Sequence, residues 1–186
     1  MKNLIFSQFH SAKIDKYLVS NFIATFRDSF SDSEGEQEGK LIAELAHALI
    51  TDTKSDDIYA FSATKNNKIV GAIICSRLLF EKPINCFILG PVAVLPNFQN
   101  QGIGKALINF GKQQLTSEGV KLLFTYGDPN FYRKLGFQPV SETQIAAPYP
   151  LSMPIGWLAQ SLNQQGLPQI HGQAQCVKAL NNPEYW

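Results

Sequence analysis

The stretch that most constrains this chain is Leu89-Gly90-Pro91-Val92-Ala93-Val94-Leu95-Pro96-Asn97-Phe98-Gln99-Asn100-Gln101-Gly102-Ile103-Gly104-Lys105-Ala106-Leu107. It opens as a short apolar run, passes through a polar turn, and then switches period, with Ile103, Ala106, Leu107 and Phe110 on one helical face. Strand, tight turn and helix start therefore follow one another without a gap. The first N–H groups of a helix have no internal partner, and together with the positive end of the helix dipole they converge on an anion. Gly102 and Gly104 remove the Cβ atoms that would keep a phosphate from those amides, and they allow φ > 0 where a nest of amides needs it. The turn is built to hold phosphate, yet it has neither the GxGxxG spacing of a dinucleotide fold nor the Gly-Lys-Ser/Thr ending of a Walker loop.

The strand that feeds this turn, residues 85–95, contains Gly90-Pro91. Proline donates no N–H and glycine packs no side chain, so an unbroken central ladder is excluded there and a bulge or frayed edge is expected. Upstream, residues 1–9 alternate as a strand. Ile14, Leu18, Phe22, Ile23 and Phe26, then Leu41, Ile42, Leu45, Leu49 and Ile50, predict two amphipathic helices. The acidic stretch 31–39 between them reads as a solvated loop that also supplies a helix N-cap. Residues 58–64 and 68–80 flank Asn66-Asn67 and predict a hairpin. The helix after the turn should stop at Gly119, followed by a strand at 120–126, a short helix at 130–135 and an extended segment from Gly136-Phe137. The tail holds strand-like runs at 155–162 and 172–177, and Pro148, Pro150 and Pro154 mark a looped region.

At 186 residues the chain supports one ordinary core, so residues 1–186 are expected to form one domain. A hydrophobic share of 45% against 17% charged argues against disorder. The net charge of +1, with no dense Lys/Arg block, disfavours a nucleic-acid partner. The longest apolar runs, 69–75 and 87–95, are too short to span a bilayer, and no signal peptide is evident, so no membrane partner and a cytoplasmic location are expected. Cys75, Cys86 and Cys176 are odd in number and widely spaced, which supports neither a disulfide framework nor a CxxC metal site. His10, His47 and His171 lie far apart with no paired acid or metal spacing, so no metal is expected.

Gln99, Gly102 and Gly104 fit every specified position of a turn that reads Gln or Arg, two residues, Gly, one residue, Gly or Ala. In this the chain resembles the GNAT superfamily of N-acetyltransferases. A second match, Phe131-Tyr132-Arg133-Lys134-Leu135-Gly136-Phe137, is similar to the family's element in which a Tyr four residues before Gly-Phe sits on a short helix beyond the next strand. The resemblance is good over about residues 69–140, and Gly90-Pro91-Val92-Ala93-Val94 with Gly127-Asp128-Pro129 looks most like a bacterial subgroup. It implies an α/β (α+β) GNAT fold: a central mixed, mostly antiparallel twisted sheet flanked by helices, with a splayed strand pair binding CoA. It further implies acetyl-CoA as co-substrate, its pyrophosphate on Gln99, Asn100, Gln101, Gly102, Ile103, Gly104, Lys105 and Ala106. The pantetheine would lie along Leu89, Val92, Ala93 and Val94. Tyr132 would contact the cofactor and donate a proton to the CoA sulfur, and the Val92 N–H would polarise the thioester carbonyl.

Many relatives carry a Glu on the strand before the turn, but residues 88–92 contain no carboxylate. The general base is then Asp128, an acid from Glu34, Glu36 or Glu38, or a chain of waters. Asp128 also suits the N-cap of the short helix. The acceptor is an amine that the sequence does not identify, and a homodimer is among the assemblies such a fold allows. Two other readings stand beside the enzyme: a non-catalytic acyl-CoA-binding regulatory module, and a nucleotide-binding domain, which lacks a ribose-binding acid at the expected offset.

Overall fold

The computed structural model describes residues 3–9 and 16–186, so His10 and Ile14 lie outside the described residues. Strand β1 (Leu4–Phe9) precedes two helices, α1 (Lys16–Glu34) and α2 (Glu36–Asp52). Phe22, Thr25, Phe26 and Ser29 form the buried stripe of α1, at the spacing of three and four that puts side chains on one helical face. The matching stripe of α2 is Leu45, Ala46, Leu49 and Ile50.

The solvated acidic loop expected at 31–39 is not there. Helix α1 continues to Glu34, Gly35 alone breaks the chain at φ 100°, and α2 begins at Glu36 with no side-chain cap bond from the Gly35 position. Ser, Asp and Glu in this run remain compatible with helix once their side chains point to solvent, and Glu36 and Glu38 in the first turn of α2 complement its dipole.

Strands β2 (Ile58–Lys65) and β3 (Lys68–Leu79) form the predicted hairpin. Asn66 and Asn67 both take left-handed φ, 50° and 61°, the requirement of a two-residue turn whose twist matches the strands it joins. Then come β4 (Cys86–Val94), α3 (Ile103–Ser117), β5 (Leu122–Tyr126), the four-residue α4 (Pro129–Tyr132), β6 (Gln138–Pro139), β7 (Trp157–Ser161) and β8 (Gln175–Cys176). Helix α3 ends as expected before Gly119, which sits at φ 73°. The hydrogen-bonded strand order is β1-β2-β3-β4-β5-β7-β6, with β8 pairing β3. Pairing is antiparallel for β1 with β2, β5 with β7, β6 with β7 and β3 with β8, and parallel for β4 with β5.

The chain divides into two compact units, residues 1–75 with 91–111 and residues 76–90 with 112–186; β3, β4 and α3 each run from one into the other. In the first, Phe9 stacks on Phe22 at 4.4 Å and Phe22 meets Phe26 edge-on at 5.4 Å. Phe110 of α3 lies 5.8 Å from both Phe6 and Phe61. In the second, Phe80, Phe124, Trp157 and Trp186 form a chain of ring contacts at 6.0, 5.1 and 6.1 Å. No helix of the described residues is long and apolar enough to cross a membrane.

Candidate active site

Strand β4 is buried from Cys86 to Leu89 and then alternates between half-exposed and buried residues. Its parallel register with β5 begins at Cys86↔Leu122 and ends at Leu89↔Thr125, where the Thr125 hydroxyl donates to the Leu89 carbonyl at 3.0 Å. The strand continues through Gly90 and Pro91 to Val94. The disruption expected at Gly90-Pro91 therefore takes the form of a ladder to β5 that stops one residue before the pair. A Cβ built on Gly90 meets nothing within 4 Å, so that backbone borders open space.

Beyond β4 the chain makes a 3-10 turn at Pro96–Phe98 and reaches the glycine-bearing turn. Gln99 does not point away: its Nε2 donates to the Val94 carbonyl at 3.0 Å, and the Ser29 hydroxyl of α1 donates to the same oxygen at 3.0 Å. Gln101 Nε2 donates to the Asn97 carbonyl at 3.1 Å. Left-handed φ falls on Asn100 (58°) and Gly102 (78°). Gly104 instead lies in the first turn of α3, so the positive φ expected of both glycines belongs to Gly102, and its partner is Asn100. A Cβ at Gly102 would also meet nothing within 4 Å, which leaves the approach to the amides at the start of α3 unobstructed on that side. Open backbone along β4, a left-handed turn and unpaired amides at a 15-residue helix start suit an extended thioester with a pyrophosphate end.

Past β5, Asp128 takes extended φ and ψ of −62° and 113° and its carboxylate accepts from the Asn130 N–H at 2.9 Å. It caps α4, the second of the two roles its sequence position suggested. Tyr132 ends α4, and its own N–H donates to the Asp128 carbonyl at 3.2 Å. Its ring packs edge-on against Phe131 at 5.0 Å and Phe137 at 5.6 Å. A Cβ on Gly127 would come 2.9 Å from Tyr132 Cε2, so residue 127 must lack a side chain for the ring to lie where it does.

Two groups that sequence reasoning missed lie near the Tyr132 turn and the end of β5. Lys112 Nζ donates to the Leu135 carbonyl at 2.6 Å and to Gln160 Oε1 at 3.2 Å. Burial lowers the Lys112 pKa from its ordinary value. The Tyr126 phenol accepts from the Met153 N–H at 2.7 Å and exchanges a hydrogen bond with Ser152 at 2.9 Å, tying the proline-marked loop to the end of β5. A lysine at 112 or a tyrosine at 126 carries no local signal, because each partner lies far along the chain. Cys75, Cys86 and Cys176 are free thiols, the first two buried, and no group of three or more His, Cys, Asp or Glu among the described residues could hold a metal ion.

The acetyltransferase (GNAT) domain family matches residues 56–139. An uncharacterised N-acetyltransferase of Escherichia coli K12, YjhQ, is 30% identical over 141 residues, which cover 73% of this chain and 77% of that protein. The chain belongs to the GNAT family. It is an acetyl-CoA-dependent N-acetyltransferase, and the reading as a non-catalytic acyl-CoA-binding module is not favoured. This GNAT protein shares its fold with the E. coli GNAT N-acetyltransferase YhbS solved in complex with CoA, at a TM-score of 0.80 and 19% identity, over 97% of this chain and 93% of that one. A Brucella melitensis GNAT acetyltransferase solved with acetyl-CoA matches at a TM-score of 0.61 and 20% identity over 92% and 94%. The mixed, mostly antiparallel sheet flanked by helices is the fold the resemblance implied.

Proposed function

We propose that residues 1–186 work as one acetyltransferase domain in which an amine attacks the acetyl group of acetyl-CoA directly, within a ternary complex. The observation that carries the assignment of the cofactor site is the end of the β4–β5 register at Leu89↔Thr125 while β4 runs on towards the turn. The N–H groups of Val92 and Val94, following on from Leu89, are offered to the pantetheine as a neighbouring strand would be, while Ala93 turns its peptide to the β3 side and the Val94 carbonyl is taken by Ser29 and Gln99. Leu95 donates to the Val70 carbonyl of β3 at 2.9 Å. Alternate residues of an extended strand turn their N–H groups to opposite sides, so the Val92 N–H points away from β3 and is free to polarise the thioester carbonyl. The amides of Ile103, Gly104 and Lys105, reached through Gln99, Asn100, Gln101 and Gly102, hold the pyrophosphate, whereas the Ala106 N–H expected to join them donates to the Gly102 carbonyl at 3.0 Å and closes the first turn of α3.

Tyr132 donates its phenolic proton to the departing thiolate. A thiol with a pKa near ~8.5 is already a fair leaving group, so positioning contributes more than this proton does. With Asp128 engaged as a cap and no carboxylate on residues 88–92, the proton of the attacking amine leaves through water. The acceptor is an amine.

The test is calorimetric. Gly102→Val forces a β-branched residue to φ 78° and should cost at least about 10-fold in CoA affinity while the fold persists. Unchanged affinity removes the pyrophosphate assignment.

A further inference from the structure

Helix α4 has four residues and continues as a 3-10 turn at Arg133–Leu135, too short to hold its shape unaided. Its start is fixed by the Asp128 cap. Its end is closed by two backbone bonds, Gly136 N–H to the Arg133 carbonyl at 3.1 Å and Phe137 N–H to the Tyr132 carbonyl at 3.3 Å, with Gly136 at φ 92°. These are the bonds of a Schellman closure. They leave the Leu135 carbonyl over, and the Lys112 ammonium takes it.

Lys112 belongs to α3, and Gln160, its second partner, belongs to β7, where it sits opposite Leu123 of β5. The Gln160 amide also packs against Gly136: a Cβ there would stand 2.5 Å from Gln160 Nε2. One ammonium thus joins the end of the Tyr132 turn to a strand paired with β5, through a half-buried pair of hydrogen bonds. A cation at a helix C-terminus also meets the negative end of the peptide dipoles.

We propose that Lys112 is a positioning residue for acetyl transfer, holding the Leu135 carbonyl, with Gln160 as its second anchor, so that the Tyr132 phenol stays in register with the thioester sulfur. This rests on the assignment of Tyr132 as proton donor. Lys112 touches neither substrate and acts only through the turn.

The experiment is a double-mutant cycle on the intact protein, with CoA release from acetyl-CoA measured using methylamine as acceptor and water as the background acceptor. Lys112→Met should lower kcat by about 10-fold, with the KM for acetyl-CoA changed less than about twofold and the CoA affinity retained. Lys112→Arg, which keeps a cationic donor, should restore most of the loss. In a Tyr132→Phe background Lys112→Met should cost nothing further, because the group it positions is gone. Equal losses in both backgrounds, or a loss confined to KM, overturn the proposal.

Hydrogen exchange followed by mass spectrometry on a peptide spanning 129–138 separates the two assignments. In Lys112→Met the Gly136 and Phe137 amides should exchange at least about 10-fold faster, and unchanged exchange overturns the anchoring role whatever the kinetics show. If Tyr132→Phe keeps full kcat while exchange still accelerates, the Tyr132 assignment has failed, the anchor stands, and the positioning of a proton donor is overturned with it.

Discussion

Tyr132 and Gly102 show how differently two residues of one motif family depend on their surroundings. Gly102 matters through its backbone: a side chain there would meet no neighbour within 4 Å, and the cost of one lies in the left-handed φ. Tyr132 is set by contacts, with Phe131 and Phe137 on its ring and Gly127 leaving room for it. Because Tyr132→Phe keeps the ring and loses only the hydroxyl, it should preserve this packing and the acetyl-CoA affinity while lowering turnover by roughly 10- to 10³-fold, the range for a lost general acid. Steady-state kinetics alongside CoA calorimetry check this, and full turnover in the variant would reduce Tyr132 to a packing residue. Asp128 separates into cap and base by a pair of changes. Asn caps nearly as well as Asp but cannot take a proton, so Asp128→Asn should keep both stability and turnover per folded molecule. Asp128→Ala should lose about 1 kcal/mol of stability in urea unfolding, the usual worth of a cap. A loss of about 10²-fold in turnover for Asp128→Asn would make it the base instead.

Among elements, β3 and β4 carry two of the thiols into the core. Cys75 is buried and its thiol is pushed far above its ordinary range by desolvation. Cys86 is pushed from 9.0 up to about 12 by the same cause, partly offset by the nearby Arg77 charge, and its Sγ donates to the Leu78 carbonyl at 3.3 Å. A raised native pKa means the folded protein keeps a proton that the unfolded chain gives up, so this contribution to stability is complete below pH 9.0 and is lost as the pH rises towards about 12. Burial of Lys112 works in the opposite sense, since its lowered pKa makes stability rise with pH below 10.5. Urea unfolding at about pH 8 and about pH 10 should show a smaller alkaline loss for Cys86→Ala than for the unmodified protein. An equal loss in both would mean that Cys86 ionises as readily in the fold as outside it. At about pH 8.5 an alkylating reagent should modify Cys176 well before Cys75 and Cys86, because Cys176 is half-buried, with its thiol raised by burial, whereas the other two are fully buried.

For the whole molecule the expected pH dependence of catalysis follows from the missing strand carboxylate. A primary amine with a pKa near ~10.4 is almost wholly protonated at neutral pH. With water carrying its proton away, turnover on a basic amine should rise through about pH 7 to 9, and a flat profile over that range would point to a protein base. Much of the molecule is legible in the chain alone because its signals are local. The turn from Gln99 to Gly104, the Asn66-Asn67 hairpin, the end of α3 before Gly119 and the Asp128 cap each depend on backbone preferences within a few residues. The acidic stretch 31–39 misled for the same reason: its composition suits a loop as well as an exposed helix, and packing of α1 and α2 through their buried stripes settled it as helix broken at Gly35. Gly90-Pro91 announced a disruption but not its form. That the break is the end of the β5 ladder depends on Thr125, thirty-odd residues away. Tail strand β7 pairs with β5 rather than extending the sheet in chain order, and β8 turns back to β3; neither pairing leaves a trace in either strand's own residues. Lys112 is the clearest case. By sequence it is one of several lysines on an amphipathic helix, and only the fold brings the leftover carbonyl of Leu135 and the amide of Gln160 to its ammonium. Local chemistry determined the elements and the glycine-bearing turn; non-local pairing, which no short stretch encodes, decided what holds them.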